Sequence, residues 1–322
     1  MQARFIYIFR VVAQRFLVIL LSLFVASIMV FLIVQVLPGD VAQMILGQDA
    51  TPANLAAMRE QLGLNEPLVY RYAAWITGVM HGDFGMSLSI PGFSVSSLIL
   101  SRLPNSLLLA GIATLMIVPI AIVLGTLCGL RPHSPFDRVV SVTSMVTISL
   151  PEFASAIFLI ILFSKLIPIL PSMSVIDVRT DLMTQWRMFI LPALALSLIS
   201  TGYILRMVRA SVITVAGSEQ VKAATLAGVP RSSVLIHYVL RNSLVPAITI
   251  IAMNMGWLIG GLIVVETIFA FPGLGTLLLH AVMQRDVQLI QGVALCSVAA
   301  YLLMNLTADI LSVMLNPQLR SS

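Results

Sequence analysis

Residues Leu17–Leu37 read LVILLSLFVASIMVFLIVQVL, 21 positions without a charged side chain. A bilayer core about 30 Å thick takes roughly 20 helical residues, because a backbone in lipid must satisfy its own N–H and C=O groups. The run is therefore long enough to cross a membrane. It ends in Leu37-Pro-Gly-Asp40 rather than in the small residues of a cleavage site, so it is expected to be a retained first span and not a removed signal.

Five further stretches meet the same criterion: Leu103–Leu130, Val139–Ser164 (interrupted by Glu152), Met188–Leu205, Asn242–Val265 and Val287–Ala308. The fourth span of the six is short, with Trp186 and Tyr203 near its ends as interfacial aromatics. The whole composition agrees: 59% of residues are hydrophobic, only 10% are charged, and the mean hydropathy is +1.04. Such a chain belongs in lipid. The expected fold is all-α, a polytopic membrane protein of six transmembrane helices.

Basic residues orient the spans. With the N-terminus inside, the inside segments hold eleven of the 18 Lys and Arg, against four in the short outside segments. Arg59, Arg71 and Arg102 fall in the 65-residue segment after the first span, which is too long for the rule to apply with force. Both termini are expected to be cytoplasmic. This divides the chain into a cytoplasmic segment 1–16, a first transmembrane helix 17–37, and a periplasmic loop or cap 38–102. A five-helix domain 103–315 carries a cytoplasmic loop 206–241, and a cytoplasmic tail 316–322 closes the chain. Within the cap, Thr51 and Pro52 read as a helix start, with the helix Ala53–Leu62 stopped at Gly63. The formal charge of +5 is spread along an apolar chain without a basic, aromatic-interleaved face, so nucleic acid is not an expected partner; membrane lipid is.

The loop 206–241 is far longer than a tight connection requires. Ser218-Glu219 reads as a helix start, Val221–Ala227 as a short helical run, and Gly228 as its left-handed stop, with Pro230 after it. A second helix begins at Arg231. Small side chains at Ala223 and Ala224 would let this helix seat closely in a groove of another protein. The same composition also fits an amphipathic helix lying on lipid phosphates.

A resemblance bears on this choice. Gln220-Val-Lys-Ala-Ala-Thr-Leu-Ala-Gly228, followed by Arg241-Asn-Ser-Leu-Val-Pro246, resembles the cytoplasmic "EAA" loop of ABC-importer permeases, in the version of the dipeptide/oligopeptide (peptide/nickel) permease family. Leu37-Pro-Gly-Asp40, Arg59-Glu-Gln-Leu-Gly-Leu-Asn-Glu-Pro-Leu68, Gly82-Asp-Phe-Gly85, Arg102-Leu-Pro104 and Glu266-Thr-Ile-Phe-Ala-Phe-Pro-Gly-Leu-Gly275 resemble its other signatures, in order and over nearly the whole chain. Departures occur at Lys222, where the general motif is acidic, at Gln220, Thr225 and Ala227, and in Asn316-Pro-Gln318. The resemblance implies an ABC type I importer transmembrane domain in a bacterial inner membrane. Its implied partners are a homologous second permease, one or two kinds of cytoplasmic ATPase subunit and a periplasmic substrate-binding protein. The implied cargo is short peptides, with nickel chelates, glutathione, opines and certain oligosaccharides handled by near relatives. It also implies an ATPase-coupling set of Glu219, Lys222, Ala223, Ala224, Gly228, Val229 and Arg231.

The chain has no GxxxxGK[ST] loop, so ATP and Mg are expected on the partner subunits and no cofactor on this chain. Four scattered histidines and two cysteines, Cys128 and Cys296, within apolar runs lack metal-ligand spacing, and no nucleophile–base set appears. No catalytic residue and no metal site are expected. Polar groups within the spans are the candidates for a substrate pathway: Glu152 behind Pro151, Asn254 and Trp257 on one helical face, and Glu266. Glu152 could meet a cargo ammonium or pair with the partner permease; Asn254 and Trp257 could line the pathway or pack between helices; Glu266 reads rather as structural or gating. An ion-coupled secondary carrier is the alternative of another class, and would call for inverted repeats with paired broken helices.

Overall fold

The computed structural model describes residues 2–36, 46, 50–61, 63, 65–175 and 182–315. In chain order the helices are α1 (Gln2–Val36), α2 (Pro52–Gln61), α3 (Leu68–Met80), α4 (Val95–Leu130), α5 (Pro135–Ser149) and α6 (Glu152–Ile160). They continue as α7 (Leu182–Ala216), α8 (Glu219–Leu226), α9 (Arg231–Ser233), α10 (Arg241–Ile268), α11 (Leu274–Met283) and α12 (Val287–Leu315). A π-helical segment Ile161–Leu166 prolongs α6, and another, Val234–Leu240, joins α9 to α10. No strand occurs among the described residues.

Among the described residues four helices are long and apolar enough to cross a membrane, through Gln14–Gln35 in α1, Val95–Leu130, Gln185–Ala216 in α7 and Val287–Thr307 in α12. The helices overrun the apolar stretches: α4 starts at Val95 rather than Leu103, and α7 continues past Leu205 to Ala216. Hydropathy stops at Arg102 and Arg206, but arginine is a good helix former, and the i→i−4 ladder runs on into the polar zone. The expected fifth span, Asn242–Val265, lies inside the 28-residue α10.

The expected third span, Val139–Ser164, is not one helix. α5 and α6 meet at a 109° bend. Pro151 lacks an N–H and crowds the residue before it out of the helical region. Leu150 is accordingly extended, at φ −80° and ψ 133°, and α6 restarts at Glu152.

Two compact units are formed. The first is built on Ser106–Pro272, with a core that includes Leu109, Ile117, Leu191, Val208, Leu262 and Phe269. Small residues bring its helices together. A Cβ at Gly129 of α4 would lie 2.6 Å from the Val212 Cβ of α7, so this approach requires glycine. One turn before Val212 on α7, Arg209 grips Asp137 of α5 through Nε–Oδ1 at 2.5 Å and Nη2–Oδ2 at 2.8 Å. Asp137 is 2% exposed and also accepts from the His133 N–H and the Ser141 hydroxyl, while the Ser134 hydroxyl caps the start of α5 by accepting from the Asp137 N–H. Its charge is fully compensated.

The second unit joins Ala13–Asn105 to Gly273–Ala300. Tyr72 and Trp75 of α3 pack on Phe31 of α1, with ring centroids 5.4 and 5.9 Å away, and the Tyr72 and Ser27 hydroxyls share a 2.7 Å hydrogen bond. Helix α2 starts as the sequence indicates: Pro52 is its first residue, and the Asn54 N–H donates to the Thr51 hydroxyl at 3.3 Å. Asp286, 1% exposed, lies just beyond α11 and accepts the Ser87 and Ser89 hydroxyls and the Leu88 and Ser89 N–H groups on Oδ2. Its Oδ1 takes the Leu289 N–H at 3.0 Å, so one carboxylate pins residues 87–89 to the start of α12.

Removing one partner of a buried pair leaves the other charge uncompensated, at a cost of about 3–5 kcal/mol. Arg209→Ala should therefore lower the thermal-unfolding midpoint in detergent markedly. Arg209→Lys, which cannot form the two-pronged contact, should fall between Ala and the native protein; equal midpoints for all three would contradict the assignment.

Candidate functional site

Two places in the first unit carry functional potential. One is the polar end of α7 together with the short helix beyond it. After Ala216 the chain turns at Gly217 and Ser218 into the eight-residue α8, with Glu219 at its first position. Val221 and Ala224, three residues apart, face the protein; Ala224 is 7% exposed and Val221 packs on the core. Lys222, Ala223, Leu226 and Ala227 face outward, and Leu226 is 89% exposed. Lys222 reaches Glu219 at 2.8 Å, but both are solvated, so the pair contributes little.

Gly228 closes the helix. At φ 78° its N–H donates to the Thr225 carbonyl and the next N–H, that of Val229, to the Ala224 carbonyl, both at 3.1 Å. This is the left-handed helix stop in which the last carbonyls find donors. Val229 is half-buried, and Arg231, exposed, opens α9 behind Pro230. The ends of the connection are tied together, since the Ser211 hydroxyl of α7 donates to the Ser243 carbonyl of α10 at 2.8 Å. The segment 206–241 is thus largely continuous helix, and only its middle leaves the spans. Of the expected contact residues, Ala224 turns inward and anchors the helix. The sequence reading missed Leu226, although it stands on the face of Lys222 and Ala223 at i+4 and i+3.

The other place is a cavity of about 620 Å³ opened by the α5–α6 break. Leu150, Pro151 and Glu152 line it from the break, Ser200 and Tyr203 from α7, and Asn254 from α10. Its size is within the usual range of ligand pockets. Glu152 and Asn254, both expected pathway residues, therefore line the same cavity. Glu152 is half-buried and makes no ion pair or hydrogen bond among the described residues, whereas the Asn254 amide is braced by donating to the Ile250 carbonyl at 3.0 Å. Ser200 was not anticipated. It is 1% exposed, and its hydroxyl has no hydrogen-bond partner among the described residues.

The remaining two expectations fall elsewhere. Glu266 is fully buried and accepts from the Ser106 hydroxyl at 2.6 Å, tying α4 to the end of α10. It lines no open surface. The Trp257 side chain lies outside the described residues. Among the described residues no group of three or more His, Cys, Asp or Glu side chains is placed to hold a metal ion.

Residues 121–321 match the family model described as the binding-protein-dependent transport system inner membrane component, and residues 8–110 match that of its N-terminal region. The chain belongs to this family. It is an inner-membrane, multi-pass permease of an ABC importer, a transport component and not an enzyme. The permease is 35% identical over 298 residues to a putative peptide transport system permease protein of Brucella abortus (strain 2308), covering 92% of this chain and 94% of the relative. It is 33% identical over 309 residues to the glutathione transport system permease protein of Escherichia coli (strain K12), covering 96% and 98%. To the oligopeptide transport system permease protein of Bacillus subtilis (strain 168) the identity is 32% over 295 residues, covering 91% and 93%. In this permease the α8 turn is the part most exposed to a single-residue test. Gly228→Val would force a β-branched residue into the left-handed region, at roughly 1–2 kcal/mol. Hydrogen exchange at the residue 228 and 229 amides should quicken about tenfold while the thermal midpoint moves little; unchanged exchange would show that glycine is not required there.

Proposed function

We propose that the permease forms half of the pathway of an ATP-driven importer of short peptides, with α8 as the contact through which an ATPase subunit drives it. The single observation that carries this reading is the two-faced helix. Val221 and Ala224 anchor it inward, and Ala223, Leu226 and Ala227 stand outward as a small apolar surface beside Lys222. A solvated helix gains nothing from an exposed leucine on its own. A groove in a partner would bury it, and each buried methylene contributes about 0.8 kcal/mol.

In this proposal six spans place both termini and α8 in the cytoplasm. A homologous second permease completes the pathway, ATP and Mg act on the ATPase subunits, and a periplasmic binding protein delivers cargo. Support for peptides comes from the relatives, whose names specify peptide, oligopeptide and glutathione transport; glutathione is itself a tripeptide. Glu219, Lys222, Ala223, Gly228, Val229 and Arg231 surround the contact, while Ala224 holds it in place. Closure of the ATPases would push on α8 and shift α7 and α10 together, because Ser211 and Ser243 link them.

Leu226→Glu places a charge in the expected groove. It should lower ATP-dependent uptake of a labelled tripeptide about tenfold or more and weaken co-purification of the ATPases, with permease abundance in the membrane unchanged. Lys222→Ala, on the solvated pair, should cost less than about threefold. Full uptake by the Leu226→Glu importer would refute α8 as the contact.

A further inference from the structure

We propose that the cavity at the α5–α6 break binds a primary ammonium group carried on an apolar body, with Glu152 as its counter-ion, and that the group is the amino terminus of the cargo. The inference rests on the peptide-importer reading and adds which end of the peptide the membrane domain recognises.

Charge selects the class of ligand. Among the described residues that line the cavity Glu152 is the only carboxylate, and none is Lys, Arg or His. An anion would find no cationic partner among these residues and would face the Glu152 charge. A carboxylate kept within a transmembrane segment costs a few kcal/mol unless it is partnered, and no protein cation partners this one among the described residues. A cationic ligand supplies what is missing.

Hydrogen-bonding capacity narrows the class further. An –NH₃⁺ group has three donors and no acceptor. The residues lining the cavity bring three groups able to accept, the carboxylate of Glu152, the phenol of Tyr203 and the hydroxyl of Ser200. That last group is buried, lacks a partner, and lies one helical turn from Tyr203 on the same face of α7. Buried hydroxyls are normally satisfied, so an unpaired one lining a cavity points to a ligand. The rest of the wall is largely apolar, with Ile148 and Leu150 contributed by the break, Ile199 by α7 and Ile250 by α10. A quaternary ammonium has no N–H to give these acceptors, and a fully polar solute has nothing to gain from the isoleucines.

The backbone makes room for this carboxylate. A Cβ at Gly261 of α10 would lie 2.9 Å from Glu152 Oε1 and 3.1 Å from Oε2. The carboxylate thus occupies the space that any other residue at 261 would fill. Pro151 complements this from the other side, because the break it imposes makes Glu152 the first residue of α6, where the helix dipole favours a negative charge. Glycine and proline together hold the carboxylate where it is.

The test uses the complete importer, with its second permease and ATPases, in nanodiscs of phosphatidylglycerol and without binding protein. The probes are radiolabelled phenylalanyl-leucinamide, which has an ammonium and no carboxylate, and its N-acetyl derivative, measured by equilibrium dialysis. Native importer should bind the free amine at least tenfold more tightly than the acetylated probe. Glu152→Gln should remove that preference, and Gly261→Ala, by displacing the carboxylate, should reduce it several-fold. Ser200→Ala should weaken the free amine alone, which keeps the test decisive if Glu152→Gln does not assemble. Equal binding of the two probes to native importer would overturn the proposal. So would loss of free-amine binding in nanodiscs of phosphatidylethanolamine, because the ammonium would then come from a lipid headgroup. Stimulation of the native importer's ATPase by its binding protein reports separately on the importer reading: stimulation with equal probe binding refutes the ammonium site alone.

Discussion

Arg209 closes on Asp137 through two hydrogen bonds at a position that is 2% exposed, and the contact fixes α5 against α7, the helix on which both candidate sites border. It ties the foot of α5 to α7, so that the break at Leu150–Pro151 occurs at a fixed distance from the helix bearing Ser200 and Tyr203. A guanidinium suits the task because its planar fork matches both carboxylate oxygens at once and cannot lose its proton. The His133 N–H and the Ser141 hydroxyl fill the remaining acceptor sites, so the charge is buried without being orphaned.

From that clamp α7 runs in two directions. Toward one end it lines the cavity; toward the other it reaches Ala216 and hands the chain to α8. Ser200 and Ala216 are sixteen residues apart on one helix, about 24 Å at 1.5 Å per residue. The cavity and α8 are therefore joined by one uninterrupted stretch of helix, with α4 held against it at Gly129 and α10 tied to it at Ser243. The glycine contacts matter because lipid tails offer no hydrophobic advantage to helix association; close backbone approach supplies the packing instead.

Much of this was legible in the sequence. Thr51 and Pro52 start α2, Gly228 stops α8, and most of the apolar runs fall on single long helices, because caps, left-handed stops and hydropathy are local properties. Other features were not. The helices overrun Arg102 and Arg206, since a hydropathy window registers the charge and not the continuing backbone ladder. A proline at 151 announces a disturbance of the span, but a 109° bend depends on what the two halves pack against. Leu226 read as an ordinary helix former until its 89% exposure set it apart from Ala224, which is only two residues back but turned to the opposite, buried side of the helix.

The order of apolar runs, their lengths and the short helix between Ser218 and Gly228 determined that this is a helical membrane protein with a structured polar connection between two of its long helices. Each is a statement about neighbours along the chain. Only the tertiary structure decided which polar groups within the spans are partnered. Glu266 and Glu152 are both acidic residues in apolar surroundings, and nothing local separates them. Glu266 meets the Ser106 hydroxyl in a closed contact, while Glu152 opens onto a cavity beside Gly261. The difference arises from residues more than a hundred positions away, brought close by helix packing, and a carboxylate's role in lipid is set by the groups that reach it.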